Sequence, residues 1–166
     1  MQLSPYHVAH GCTTLGGAAC PANMCKGKIL DGLLSSSQYA MAAYVGDGRG
    51  DYCSCTRLGP RDLIFARTTY PPKPVHPPAP ESDAPKAPRP CPLLAALKSN
   101  GGQIVDGDKE GFLKAAAGAV GRQDEPGWNA RGCRDRIESA VVPWAGPDDL
   151  ASLLLILASC WSSQSS

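Results

Sequence analysis

Lys26 and the pair Asp47 and Asp51 are the residues whose types and spacing suit chemistry on an anion. They fall in two short stretches, Cys20-Pro21-Ala22-Asn23-Met24-Cys25-Lys26-Gly27 and Tyr44-Val45-Gly46-Asp47-Gly48-Arg49-Gly50-Asp51. Lys26 lies three and four residues before Ile29 and Leu30, so a helix there puts all three on one face. A lysine in a first helical turn opposes the helix dipole. Two readings stay open: the side chain snorkels to solvent, or it joins the free N–H groups of that turn in holding an anion such as phosphate. Asp47 follows a short apolar run directly, which places its carboxylate at the C-terminal edge of a strand, where open α/β sheets bind ligands. Gly46 and Gly48 let the chain turn there, and Asp51, four residues on, can return a second carboxylate. Two carboxylates beside a phosphate-sized site suit Mg²⁺, which takes oxygen ligands and keeps waters and substrate phosphate in its octahedron. An ordinary Asp-Gly turn is the competing reading of the Gly-Asp-Gly triplet taken alone.

Those residues need a helix and a strand to carry them. Asn23 is the expected N-cap of a helix in which Ile29, Leu30, Leu33 and Leu34 form one apolar face, and Ser35 to Ser37 weaken its end. Ala42 to Val45 is expected as a buried strand ending at Gly46, and Asp62 to Ala66 as a second. Further on, Pro92 to Leu97 and Lys109 to Val120 are expected as helices and Ala140 to Val142 as a strand. Pro147, with Asp148 and Asp149 in the first turn, opens a helix through about Ser159. Between Pro71 and Pro92 there are ten prolines in 22 residues, a stretch that cannot enter a helix interior or a central strand and is read as a disordered, extended insertion. The expected organisation is therefore a front block, 1–70, a Pro-rich linker, 71–92, and a back block, 93–166, of helical insertion followed by a terminal strand and helix. The fold class is α/β, a partial Rossmann-like parallel sheet with flanking helices.

The same stretches resemble the haloacid-dehalogenase superfamily of phosphatases, and within it the phosphoethanolamine/phosphocholine and pyridoxal-phosphate phosphatase branch. CPANMCKG resembles that branch's third motif and YVGDGRGDYC its fourth. His7 to Cys12 is similar to the approach to the third motif, Asp62 to Arg67 to the strand after the fourth, and Val141 to Trp144 to the C-terminal segment. The resemblance implies an HAD-like core and a two-step phosphoryl transfer through an aspartyl-phosphate on a small phosphomonoester: phosphoethanolamine, phosphocholine or pyridoxal phosphate. By position, Lys26 would stabilise the phosphoryl oxygens, Asp47 would coordinate Mg²⁺, and Asp51 would ligate the metal or hold its waters, with Asn23, Gly46 and Gly48 shaping the phosphate loop.

The family's first motif, a strand ending in DxDx(T/V), supplies the nucleophile far upstream of the third motif. Here 25 residues precede Lys26 and none is Asp. Gln103 to Asp108 ends an apolar triplet in DxD, but its ordinary reading is a polar turn capping the Lys109 helix. The chain is therefore expected to represent the C-terminal half of such an enzyme and to be inactive by itself. Two other classes compete. A zinc module would draw four ligands from His7, His10, Cys12, Cys20, Cys25, Cys53 and Cys55, although none of the cysteines shows CxxC pairing. An interaction protein would use the PxxP matches at Pro71 to Pro74 and Pro85 to Pro88.

Composition narrows the field. A formal net charge of +1 leaves no basic footprint for nucleic acid. The longest apolar run, Leu153 to Ala158, is far short of the ~18–20 residues of a membrane span. The first thirty residues show no signal-peptide pattern, so the eight cysteines are expected as reduced thiols in the cytoplasm.

Overall fold

In a computed structural model, residues 4–12, 20–36, 39–70, 88–105, 108–120 and 137–164 are described. The elements in chain order are helix α1 (Lys26–Ser36), strand β1 (Ala43–Gly46), a 3-10 turn (Arg49–Asp51), α2 (Tyr52–Cys55), β2 (Leu63–Arg67), β3 (Thr69–Tyr70), β4 (Arg89–Pro90), α3 (Pro92–Ser99), β5 (Gln103–Ile104), α4 (Lys109–Val120), β6 (Ala140–Trp144) and α5 (Pro147–Gln164). Four strands form a parallel sheet in the order β1-β2-β6-β5, and β3 and β4 form a small antiparallel ribbon. The α/β class and the partial Rossmann-like sheet are as expected.

The central strand explains the layering. Leu63, Ile64, Phe65 and Ala66 of β2 are all fully buried, as a parallel strand covered on both faces requires. Alternate side chains feed two cores. Ile64 and Ala66 join Leu34, Tyr52, Cys55, Leu93 and Leu97 beneath α1, α2 and α3. Leu63 and Phe65 join Phe112, Ala116, Val142, Trp144 and Leu157 beneath α4 and α5. Each large apolar side chain buried this way contributes about 1.5–3 kcal/mol. At the strand entrance, buried Asp62 ties β1 to β2: its carboxylate accepts the N–H of Ala42 at 2.8 Å and of Gly59 at 2.7 Å. β2 itself begins one residue later than expected.

The helices in the back half start where their caps predict. Pro92 is the first helical residue of α3. Asp108 accepts the N–H of Gly111 at 2.7 Å and caps α4, so the ordinary reading of that turn holds; Asp106 lies outside the described residues. Asp149 reaches back to the N–H of Ala145 at 2.8 Å at the start of α5, which runs five residues beyond the expected end at Ser159. α3 closes with Gly101 at φ 81°, where the N–H groups of Gly101 and Gly102 return to the carbonyls of Lys98 and Leu97. That closing turn requires the left-handed conformation glycine adopts freely.

Three expectations change. Cys25, not Asn23, caps α1: the chain turns through Pro21 to Met24, the Asn23 carbonyl accepts the N–H of His7 at 3.0 Å, and the N–H of Lys28 donates to Cys25 Sγ at 3.4 Å. The apolar face of α1 is only partly buried, with Leu34 in the core and Leu33 56% exposed, because α1 packs on α2 through the side that carries Gly27. β1 is an edge strand and not a buried one; Ala43 and Val45 face out, Val45 at 41% exposure. The Pro-rich stretch from Pro71 to residue 87 lies outside the described residues, while Arg89 and Pro90 pair antiparallel with Tyr70 and Thr69. Among the described residues no helix is long and apolar enough to cross a membrane.

Candidate functional site

All strands of the main sheet are parallel, so their C-terminal ends share one edge, and β1 ends there at Gly46. Asp47 follows immediately, with its side chain exposed. The 3-10 turn then carries Asp51 back beneath it. Asp51 is buried, and its carboxylate accepts four hydrogen bonds. Oδ1 takes Lys26 Nζ at 2.6 Å and the Tyr44 hydroxyl at 3.0 Å. Oδ2 takes the backbone N–H of Asp47 at 3.1 Å and of Gly48 at 3.0 Å. One carboxylate thus binds the first residue of α1 to the loop after β1.

This arrangement settles the electrostatics. Burial opposes the Asp51 charge, but the Lys26 ammonium and the N–H groups of Gly48 and Asp47 outweigh it, holding the carboxyl below its usual range. Burial, with the Asp51 charge adding to it, pushes the Tyr44 hydroxyl well up, so it stays a donor. Lys26 keeps 45% of its side chain exposed while paired. It neither snorkels freely nor sinks into the core: Asp51 offsets its opposition to the helix dipole and holds the ammonium on the carboxylate that also takes the Asp47 N–H.

The glycines serve a different purpose from that expected. Gly46 and Gly48 are not among the positive-φ residues, and Gly48 is extended at φ −137°. Gly46 is needed for room. A Cβ there would lie 2.6 Å from Leu93 Cδ2 and 3.0 Å from Asp51 Cβ, so a side chain would drive Asp51 off its donors. Asn23 is exposed in the turn before α1. The structure therefore brings Lys26, Asp47, Asp51, Gly46 and Gly48 to one edge.

Sequence reasoning missed three neighbours. Tyr44 donates to Asp51. Cys91, fully buried ahead of α3, donates through Sγ to the Asp47 carbonyl at 3.1 Å. Tyr70 stacks with the guanidinium groups of Arg67 at 5.0 Å and Arg89 at 5.6 Å. Only Tyr44 had a signal in sequence, an aromatic hydroxyl in the strand that leads to Asp47.

The Mg²⁺ expectation can be weighed on this donor set. Asp47 offers an exposed carboxylate at the ligand edge, which fits a cation that takes one or two carboxylates plus water and phosphate oxygens. The Asp51 oxygens are both engaged by nitrogen and hydroxyl donors. β5 lies three strands from β1, or about 14 Å at the usual strand spacing. A separate cavity of about 350 Å³, lined by Pro60, Gln103, Lys114 and Glu138 among others, lies by the N-terminal ends of the strands, away from Asp47.

Residues 1–77 match the family model described as Putative Phosphatase. Residues 1–77 are phosphatase-like. The chain is 35% identical over 78 residues to Inorganic pyrophosphatase 1 of Arabidopsis thaliana, covering 43% of this chain and 25% of that protein. It is 35% identical over 79 residues to the Thiamine phosphate phosphatase-like protein of Arabidopsis thaliana, covering 43% and 30%. It is 38% identical over 76 residues to the Phosphoethanolamine/phosphocholine phosphatase of Homo sapiens, covering 43% and 26%. The matched stretch thus spans between a quarter and a third of the length of these relatives. No solved structure matches the chain. The phosphatase-like region contains Lys26, Asp47 and Asp51 together with the helix and strand that position them; β6 and α5 lie beyond it.

Proposed function

We propose that residues 1–77 form the phosphate-holding and metal-side half of a phosphomonoester hydrolase site. The observation that carries this is the Asp51 carboxylate, which locks a helix-borne ammonium beside an exposed aspartate at the C-terminal edge of a parallel sheet. Lys26 holds and neutralises phosphoryl oxygens, and Asp51 orients Lys26. Asp47 is the residue that would hold Mg²⁺, which when bound supplies charge neutralisation at the phosphoryl group. The substrate class is a small phosphomonoester of the phosphoethanolamine, phosphocholine or pyridoxal phosphate kind.

Hydrolysis by this route needs a carboxylate that attacks phosphorus as the ester oxygen leaves, and then water that releases phosphate from the acyl-phosphate. None of the first 46 residues is an aspartate other than Asp31, which lies on α1 and pairs with Arg57. The 166-residue chain is therefore proposed to bind phosphate without turning over its esters. In ³¹P NMR titrations with Mg²⁺ present, inorganic phosphate is expected to bind weakly, and Lys26→Ala to weaken binding about tenfold. Unchanged binding in Lys26→Ala would remove the lysine from the site. Hydrolysis of phosphoethanolamine, phosphocholine or pyridoxal phosphate by this chain, abolished by Lys26→Ala or Asp47→Asn, would overturn the proposed inactivity.

A further inference from the structure

Beside Lys26 the fold gathers four cysteines that the phosphoryl chemistry does not use. Cys12 comes from the loop after His10, Cys20 from the approach to α1, Cys25 caps α1, and Cys53 lies on α2. Their sulfur atoms all lie within 4.8 Å of one another. Cys12 and Cys53 are 3.4 Å apart, Cys25 and Cys53 3.6 Å, and Cys20 and Cys12 3.7 Å. Four sulfurs at the corners of a tetrahedron around a zinc ion, each about 2.3 Å from it, are about 3.8 Å from each other. Disulfide partners are much closer, about 2.05 Å, than these sulfur pairs.

The surroundings are those of a ligand set. The N–H of Lys28 donates to Cys25 Sγ at 3.4 Å, a contact of the kind that supports a metal-bound thiolate. The two histidines in the same loop do not point their nitrogens at the cluster. His7 Nδ1 accepts the N–H of Cys25 at 3.2 Å. His10 Nδ1 accepts the N–H of Cys12 at 3.1 Å, while its Nε2 bonds the Pro21 carbonyl at 2.8 Å. Both histidines therefore fix the backbone that presents the cysteines. Cys55, also in the pool of candidate ligands, faces the core beneath the sheet, away from the quartet.

We propose that Cys12, Cys20, Cys25 and Cys53 form a tetrahedral structural zinc site that ties the N-terminal loop to α1 and α2. All four positions are filled by protein sulfur, which leaves no open coordination site and marks the centre as structural. On binding, zinc replaces the thiol protons of its ligands, and no oxidation or reduction occurs. The site joins Cys25, next to Lys26, to Cys53, two residues after Asp51, so it fixes the approach of α1 to α2 on which their ion pair depends. It stands independently of the phosphatase reading, because its readout is bound metal and not turnover.

The test is metal content of the full chain purified under reducing conditions without chelator. Native mass spectrometry and elemental analysis are expected to give about one zinc per chain. After zinc is stripped, Co²⁺ is expected to restore the red-region absorption of tetrahedral thiolate cobalt. Cys12→Ser combined with Cys20→Ser alters only the loop; it is expected to lose the zinc while keeping the far-ultraviolet circular dichroism of the sheet and helices. Cys160→Ser, on α5, is expected to keep it. A folded, metal-free wild type that gives no thiolate-cobalt bands would overturn the proposal. So would zinc retained in the double variant, or a disulfide mapped within the quartet in freshly reduced protein.

Discussion

Asp51→Ala is expected to destabilise the protein by about 3 kcal/mol at neutral pH, read as a lower urea midpoint followed by circular dichroism. The substitution removes one acceptor and strands several donors. The Tyr44 hydroxyl and the N–H groups of Asp47 and Gly48 lose their partner, and Lys26 is left opposing the dipole of α1. Asparagine is not a conservative replacement, because every group facing Asp51 is a donor and one side of an amide must present N–H groups to them. Asp47→Ala, by contrast, removes an exposed side chain and should shift stability by no more than about 0.5 kcal/mol. The pH dependence follows from the depressed carboxyl. A carboxylate held below its unfolded value contributes fully above that value, about 3.9, and loses its contribution as pH falls through the folded value. The stability gap between wild type and Asp51→Ala should therefore be full at neutral pH and close progressively below about pH 4. Equal midpoints for Asp51→Ala and Asp47→Ala at neutral pH would remove Asp51 as the centre of the network.

Two glycines of α1 are expected to respond with opposite signs. A Cβ at Gly27 would lie 2.6 Å from Cys53 Sγ and 2.9 Å from the Cys53 carbonyl oxygen. The carbonyl belongs to α2 and cannot move aside alone, so α1 must lift away. Overpacking of this kind costs about 1–3 kcal/mol, and helix propensity returns up to about 1 kcal/mol. Gly27→Ala should lower stability by about 1–2 kcal/mol and lengthen the Lys26–Asp51 pair. At Gly32, five residues further along the same helix, a Cβ meets nothing within 4 Å. Gly32→Ala should raise stability by about 0.5–1 kcal/mol. Thermal unfolding of the two variants side by side separates packing from propensity, and a stabilised Gly27→Ala would mean that α1 and α2 do not touch there.

The parts of the fold that were legible in sequence are those specified locally. β2 is a continuous apolar run, and α3, α4 and α5 begin with Pro92, Asp108 and Pro147, whose backbone chemistry suits a helix start. Lys26, Asp47 and Asp51 stood out by residue type and by the resemblance, and the fold brings all three to one edge through the Asp51 carboxylate. The parts that were not legible depend on which elements meet. β5 has two residues and exists because β6 offers it a partner. β1 reads as apolar whether it lies inside a sheet or along its rim. Asn23 has the side chain of a cap, but the turn from Pro21 to Met24 uses up its position. The cysteine quartet has no CxxC spacing to announce it. Its members flank Lys26 on one side and Asp51 on the other, so the ion pair that draws α1 to α2 also brings Cys25 to Cys53. Knowing that contact first would have revealed the second.

The rim strand has a consequence for how the protein behaves in concentrated solution. Residues 43–46 run Ala-Tyr-Val-Gly, with no lysine or proline to discourage a neighbour, and among the described residues no strand pairs with their outer side, next to exposed Val45. Such a margin is a template on which another strand can crystallise. Light scattering should rise with concentration and fall when Val45→Lys places a charge on the margin. The residues proposed to hold phosphate sit at the end of the same strand, so whatever shields the margin also stands next to the site.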